Sequence, residues 1–269
     1  MYKYIWDEET GGPLLKPEIS KFSKEPRPVY SKELDILGFD KYWNYPKDND
    51  APIMWAEDSN YIYRGKVVAK LKGGSLYNAP QIEIMEEPET DGGFLRLVDI
   101  KGMISKNKLL LEAITQETIQ EIYNNYNDFK SNVDLLYVAF SGGKDSVVVL
   151  DLVQRALPHN EFKVMFGDTE MEFPTTYKLV QNIKDLCRAS EIEFIEAKAP
   201  MSSYETWSLF GPPARRERWC CTVHKSAPVI NKLCELYGNK KLRVVMMTGV
   251  RGDESSARSK YEKISIGKK

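Results

Sequence analysis

The rhythm of hydrophobic and polar positions changes near residue 105. Before it, apolar residues come in short runs, NYIYR, GKVVAKL, QIEIM and GFLRLVDI, separated by turn-forming clusters such as KGGS and EEPETDGG. Runs of this length, rich in β-branched and aromatic side chains, predict strands, and together they predict a small β-rich domain over 1–104. In NKLLLEAITQETIQEIYNNYNDF, Leu110, Leu111, Ile114, Ile119, Ile122 and Tyr123 recur near helical spacing without Pro or Gly, which predicts a linking helix over 105–131. Strands at 134–140, 162–167, 192–196 and 242–248 then alternate with helices at 145–157, 174–188 and 225–237. That alternation predicts an α/β domain over 132–269, an open and mostly parallel sheet with helices on both faces.

Composition narrows the function without choosing it. The 269 residues are 42% hydrophobic, enough for a substantial core. Lys plus Arg number 38 against 39 Asp plus Glu, so the net charge of −1 argues against general coating of nucleic acid and requires any anion site to be local. MYKYIWDEETGG has no basic region followed by an apolar one, and no apolar run approaches the ~20 residues that span a bilayer. A cytoplasmic protein with no membrane partner is expected. Cys187, Cys220, Cys221 and Cys234 are too few for a disulfide scaffold and suit reduced thiols, redox chemistry or a metal. In the first domain Trp55, Tyr61, Tyr63, Arg64 and Lys66 form an aromatic and basic mix that suits either stacking of bases or cross-strand pairs of an ordinary sheet.

The chemistry concentrates in four segments. DLLYVAFSGGKDSVVVLDLVQRAL runs a buried strand into Ser141, Gly142, Gly143, Lys144, Asp145 and Ser146 and on into a helix. Glycines let backbone N–H groups approach phosphate oxygens, the serines add hydroxyls, Lys144 adds a cation, and the helix adds the positive end of its dipole. The spacing is neither that of Walker A nor that of the dinucleotide GxGxxG turn. FGDTEMEFPTTY follows the second strand, where Asp168 and Glu170 are candidate Mg²⁺ ligands, while Asp168 or Thr169 equally suits the N-cap of the next helix. GPPARRERWCCTVHKSAPV gathers Arg215, Arg216, Arg218, His224 and Lys225, a cationic run for sulfate or phosphate or the solvated end of a helix. Within it Cys220 and Cys221 are candidate nucleophiles or cluster ligands, or a pair packed as small apolar groups. Cys187 and Cys234 fall in predicted helices and read as core. VVMMTGVRGDESSARSKYE leads another strand into a glycine turn at Gly249 that carries Arg251, Asp253, Glu254, Ser255, Ser256 and Arg258, a second anion-binding loop.

In order and spacing, SGGKDS, GDTEMEFPTTY, RWCCTVHKSAP and TGVRGDESSARS resemble the phosphoadenosine phosphosulfate (PAPS) reductase family of the ATP-pyrophosphatase-like adenine nucleotide α-hydrolases, over about 134–260. The resemblance implies Rossmann-like topology with an adenine nucleotide over the carboxyl edge of the sheet. It implies Ser141 to Ser146 as the phosphate loop, Asp168 as the residue after the second strand, and Arg251, Glu254, Ser255 and Arg258 as the distal anion loop. Arg218, Lys225 and Gly249 complete the expected nucleotide set, with Lys144, Cys220 and Cys221 as expected catalytic groups. Thiol-dependent relatives carry a cysteine in a C-terminal tail, and iron–sulfur relatives pair the Cys-Cys dipeptide with a later CxxC; neither occurs up to Lys269. A [4Fe-4S] cluster is therefore expected only with cysteines from outside these residues, and a thiol reductant protein is the expected partner of a reductase. SGGKDS is also similar to ATP-splitting members, among them DndC-like sulfurtransferases of DNA phosphorothioation, for which nucleic acid is the partner. A nucleotide-binding module without turnover is the third expectation.

Overall fold

The computed structural model describes residues 2–19, 25–47, 50–74, 78–214, 217–238, 241–251 and 258–265. The chain divides into two compact units, Met1–Ile114 and Thr115–Lys269.

In the first unit β1 (Tyr2–Trp6) and β2 (Pro13–Ile19) form an antiparallel hairpin. A five-stranded antiparallel meander follows, from β3 (Arg27–Val29) through β4 (Met54–Glu57), β5 (Asn60–Tyr63) and β6 (Lys66–Lys72) to β7 (Gln81–Ile84). Helix α1 (Ser31–Leu37) intervenes and ends at Gly38, whose φ of 85° is the left-handed turn that glycine makes at least cost. Tyr61, Tyr63 and Trp55 are almost fully buried, and Tyr61 packs on Phe39 at 5.0 Å between ring centres. Of the two readings of the aromatic and basic mix, the structure shows the internal one: these rings are core and present no face on which a base could stack.

The first strands escaped the periodicity because neither buries a full side chain: β1 alternates half-buried and exposed positions, and residues 13–18 of β2 run from half-buried to exposed without alternating. GFLRLVDI, expected as a strand, is not one. Phe94 makes isolated bridges to Asn44 and Asp91, and the segment leads into helix α2 (Ile100–Phe129). Asp99 starts that helix by accepting the Gly102 N–H at 3.0 Å, which places its beginning earlier than the apolar spacing alone suggests. Buried Asn107 then locks the hairpin to the helix. Its Oδ1 accepts the Leu15 N–H at 2.8 Å, and its Nδ2 donates to the Pro13 carbonyl at 3.0 Å and the Met103 carbonyl at 2.9 Å.

The second unit holds the parallel sheet: β8 (Leu135–Phe140), β9 (Lys163–Asp168), β10 (Glu193–Lys198) and β11 (Val244–Met247), in the order β10-β9-β8-β11. Central β8 and β9 are buried almost throughout, as strands covered on both faces must be, whereas the edge strands β10 and β11 alternate. Helices α3 (Lys144–Ala156) and α4 (Pro174–Ala189) connect the first three strands. Their residues Leu150, Val153, Val180 and Ile183 pack with Val138, Phe140, Val164 and Phe166 on one face. Between β10 and β11 come α5 (Ser203–Phe210), the single turn α6 (Trp219–Cys221), a π-turn (Thr222–Ser226) and α7 (Ala227–Tyr237). From α7, Val229, Leu233 and Tyr237 cover Leu135, Tyr137 and Met165 on the opposite face. This is the Rossmann-like α/β sheet that the alternation and the resemblance anticipate. Among the described residues, no helix is long and apolar enough to cross a membrane.

Asn107→Ala removes three part-buried hydrogen bonds at once. A loss of about 1–3 kcal/mol is expected in the first unit, measurable as a lower denaturant midpoint at unchanged slope.

Candidate functional site

Strand order places the site. Numbered along the chain the strands run third, second, first, fourth, so the direction of winding reverses between β8 and β11. In open α/β sheets the crevice outside the carboxyl ends at such a reversal is where ligands bind. SGGKDS leaves β8 there, and TGVR leaves β11 beside it.

The SGGKDS loop is shaped by its glycines and closed by a serine. Gly142 has φ of 72°, and a Cβ on it would stand 2.6 Å from Thr176 Cγ2 of α4. Gly143 caps α3 in extended conformation without a side-chain hydrogen bond, so the first-turn N–H groups of the helix have no side-chain acceptor from the cap. Ser146 is buried and bonds inside the loop: its Oγ donates to the Gly143 carbonyl at 2.8 Å and accepts the Ser141 N–H at 3.2 Å. Lys144 is exposed, with Nζ 3.1 Å from Asp145 Oδ1. The other carboxylate oxygen of Asp145 lies 3.2 Å from Arg251 Nε. One carboxylate thus stands between a cation of each loop. The loops approach closely because position 249 is glycine; a Cβ there would be 2.7 Å from the Asp145 carbonyl oxygen, backbone that cannot yield.

Asp168 ends β9, in register with Lys198 of β10. It is buried, and its Oδ1 accepts the Glu170 N–H at 2.9 Å and the Tyr177 hydroxyl at 2.8 Å. Burial and then this bond push the Tyr177 phenol up to about 12. Helix α4 begins at Pro174 with Phe173 as an uncapped N-cap, so neither Asp168 nor Thr169 caps it; Asp168 closes the tighter turn after β9 instead. Glu170 sits at φ of 58°, unusual for a residue with a side chain. Its carboxylate meets Lys198 Nζ at 2.5 Å and the Ser203 N–H at 2.9 Å. Lys198 foremost, and then Ser203, hold the Glu170 carboxyl below its ordinary range.

The cysteine segment differs from its sequence reading in one respect. Arg218 and Lys225 are exposed, but His224, grouped with them as a surface cation, is fully buried, with Nε2 2.8 Å from Thr206 Oγ1. A histidine's place cannot be read from a run of charged neighbours. The partner Thr206 lies on α5, an element the periodicity missed, although Ser202 and Glu205 form the capping box that marks its start. Cys220 and Cys221 are half-buried in α6, and the π-turn that follows packs on β9. Arg258 is exposed in a short turn, Arg258–Lys260. Arg215, Arg216, Asp253, Glu254, Ser255 and Ser256 lie outside the described residues.

A four-thiolate cluster does not fit the cysteines present. Cys187 is buried on the core face of α4, and burial pushes its thiol up, against thiolate formation. Cys234 belongs to α7, whose residues cover the opposite face of the sheet. Among the described residues no three His, Cys, Asp or Glu side chains are grouped to hold a metal ion.

Residues 135–269 match the family model of the phosphoadenosine phosphosulfate reductase domain. An uncharacterised protein of Methanocaldococcus jannaschii is 34% identical over 162 residues, 60% of this chain and 32% of that protein. Adenosine 5'-phosphosulfate reductases of Halalkalibacterium halodurans and Anoxybacillus flavithermus are 26% and 29% identical, over 49% and 55% of this chain and 53% and 56% of theirs. The chain thus spans about a third of the archaeal relative and little more than half of the two reductases. Among solved structures, an NH3-dependent NAD synthetase from Campylobacter jejuni aligns at a TM-score of 0.33 and 16% identity, covering 47% of this chain and 53% of that one.

Gly249→Ala is expected to cost about 1–3 kcal/mol by forcing backbone apart, whereas Gly167→Ala, whose added methyl meets only Val229 at 3.9 Å, stays within about 0.5 kcal/mol; thermal melts of the two variants compare them. Because the Glu170 carboxyl is lowered, its contribution to stability is complete above the ordinary glutamate pKa and is lost as pH falls through the lowered value. A Glu170→Gln variant should therefore show a shallower acid limb of melting temperature against pH.

Proposed function

Because the chain belongs to the phosphoadenosine phosphosulfate reductase domain family, we propose that its second unit binds an adenine nucleotide, PAPS, adenosine phosphosulfate or ATP, with the phosphates on the SGGKDS loop, and acts on it in sulfur metabolism. The observation that carries this reading is the meeting of two glycine loops at the sheet reversal, where Asp145 sits between Lys144 and Arg251 and Gly249 allows the approach. An arriving phosphate competes with Asp145 for both cations and gains the first-turn amides of α3. Arg218, Lys225 and Arg258 are proposed for the sulfate or distal phosphate end, and Asp168 for Mg²⁺ where the ligand is a polyphosphate.

With an adenylylated sulfate, the proposed chemistry uses Cys220 or Cys221 as nucleophile. The thiolate attacks sulfur, the sulfur–oxygen bond to phosphate breaks, and the nucleotide departs with that electron pair. The S-sulfonated cysteine is then cleared by a dithiol reductant protein, which releases sulfite and becomes a disulfide. No step of this scheme passes through a cluster.

A second reading is an ATP-dependent sulfurtransferase acting on DNA or tRNA. What favours it is Lys144, whose side chain is 73% exposed at the start of α3, where it can neutralise a departing pyrophosphate. The buried aromatic residues of the first unit lend it no support. Pyrophosphate released from ATP only when DNA or tRNA is added would establish this reading over the first.

Isothermal titration with adenosine phosphosulfate, PAPS and ATP in turn tests the nucleotide assignment. At least one is expected to bind in the micromolar range, and Lys144→Ala to weaken that binding by about tenfold, the worth of one charge-assisted contact, with the melting temperature unchanged. Absence of heat with all three ligands overturns the reading.

A further inference from the structure

Helix α5 is held in an unusual way. Thr206 is its buried residue, while Tyr204 and Leu209 are 81% and 65% exposed. Its apolar fastening includes one ring pair, Phe210 on Trp219 of α6 at 5.4 Å, and a helix with so little apolar burial gains little from the hydrophobic effect. It is fastened by polar contacts at two points. At its start, the Ser203 N–H donates to Glu170 at 2.9 Å, and the Glu170 backbone N–H in turn donates to Asp168 at 2.9 Å. One turn on, Thr206 Oγ1 lies 2.9 Å from the Ser203 carbonyl, 3.1 Å from the Ser202 carbonyl and 2.8 Å from His224 Nε2. A hydroxyl carries one proton; with that proton on the α5 carbonyls, Thr206 accepts from His224 Nε2–H. His224 Nδ1 is buried without a hydrogen-bond partner among the described residues. The ring stands in the π-turn directly after Cys220 and Cys221, 6.0 Å from the Trp219 ring.

We propose that Glu170, Thr206 and His224 are positioning residues, and that α5 is a strut that sets the Cys220–Cys221 turn relative to the nucleotide edge at Asp168. This deepens the proposed function and rests on it for the cysteines' role. Two otherwise costly features are accounted for. Glu170 holds a left-handed backbone that a glycine would hold without strain, because its carboxylate is needed on Ser203. A histidine is buried with only one nitrogen bonded, because that bond joins α5 to the turn that carries the cysteines.

The test is the rate of iodoacetamide labelling at each cysteine of the full chain, read by mass spectrometry without nucleotide, with Cys187 as internal control for the core. Thr206→Val, which keeps the shape and removes the hydroxyl, is expected to speed labelling of Cys220 and Cys221 by about tenfold, the opening equivalent of one buried hydrogen bond. Glu170→Gly, which also relieves the left-handed backbone, should do the same from the far end of the strut. Thr206→Ser should restore the wild-type rate, and Cys187 should label equally slowly in all four proteins. Unchanged rates at Cys220 and Cys221 in Thr206→Val and Glu170→Gly, or faster labelling of Cys187 alongside them, overturn the proposal. Titration of the wild-type protein with ATP, adenosine phosphosulfate and PAPS separates the two claims: absence of heat with all three defeats the functional reading while the labelling still decides the strut.

Discussion

Right-handed crossovers between parallel strands are the constraint on which the second unit depends. From β8 the chain steps to β9 and then to β10, and at constant hand α3 and α4 fall on one face. To reach β11 it must return past β8, and the same hand then carries α7 to the other face. The loops that leave β8 and β11 therefore part at the carboxyl edge and leave a crevice with a glycine-rich turn on each wall. Asp145 can meet Arg251 only because those two strands are neighbours.

Charge in that crevice is arranged in advance. A near-neutral chain has placed a lysine from one loop and an arginine from the other against a single carboxylate, with uncapped helical amides behind them. For the proposed nucleotide, such an arrangement would hold donors in position at little reorganisation cost. Ser146 contributes by holding the loop closed, and the glycines contribute by having no side chain, since at 142 and 249 a methyl would meet a neighbouring helix or its backbone.

The cysteine turn is held by other means. Apolar packing fixes the sheet and its large helices, but between β10 and α7 the chain relies on hydrogen bonds from Glu170 through α5 to His224 and on the Phe210–Trp219 ring contact. Such a linkage buries little surface, so it is directional rather than strong, which suits an element whose task is placement.

What the sequence by itself determined was every element with a strong period. β8 and β9 had to read as unbroken apolar runs because both faces are covered, and the flanking helices had to be amphipathic because one face is. SGGKDS and TGVR were legible for a similar reason, since backbone that turns through a positive φ or closely approaches another element tolerates few residue types. Helix α5 was illegible to periodicity because it buries one threonine, and the β1–β2 hairpin because a two-stranded ribbon alternates only weakly. Tertiary structure alone decided which cation stands at the surface and which histidine lies beneath it, whether Trp55 and Tyr61 face solvent or core, and that Asp145 meets Arg251. Those outcomes depend on strand order and on pairing between distant segments, and a local pattern of polar and apolar residues carries no record of which strand will become its neighbour.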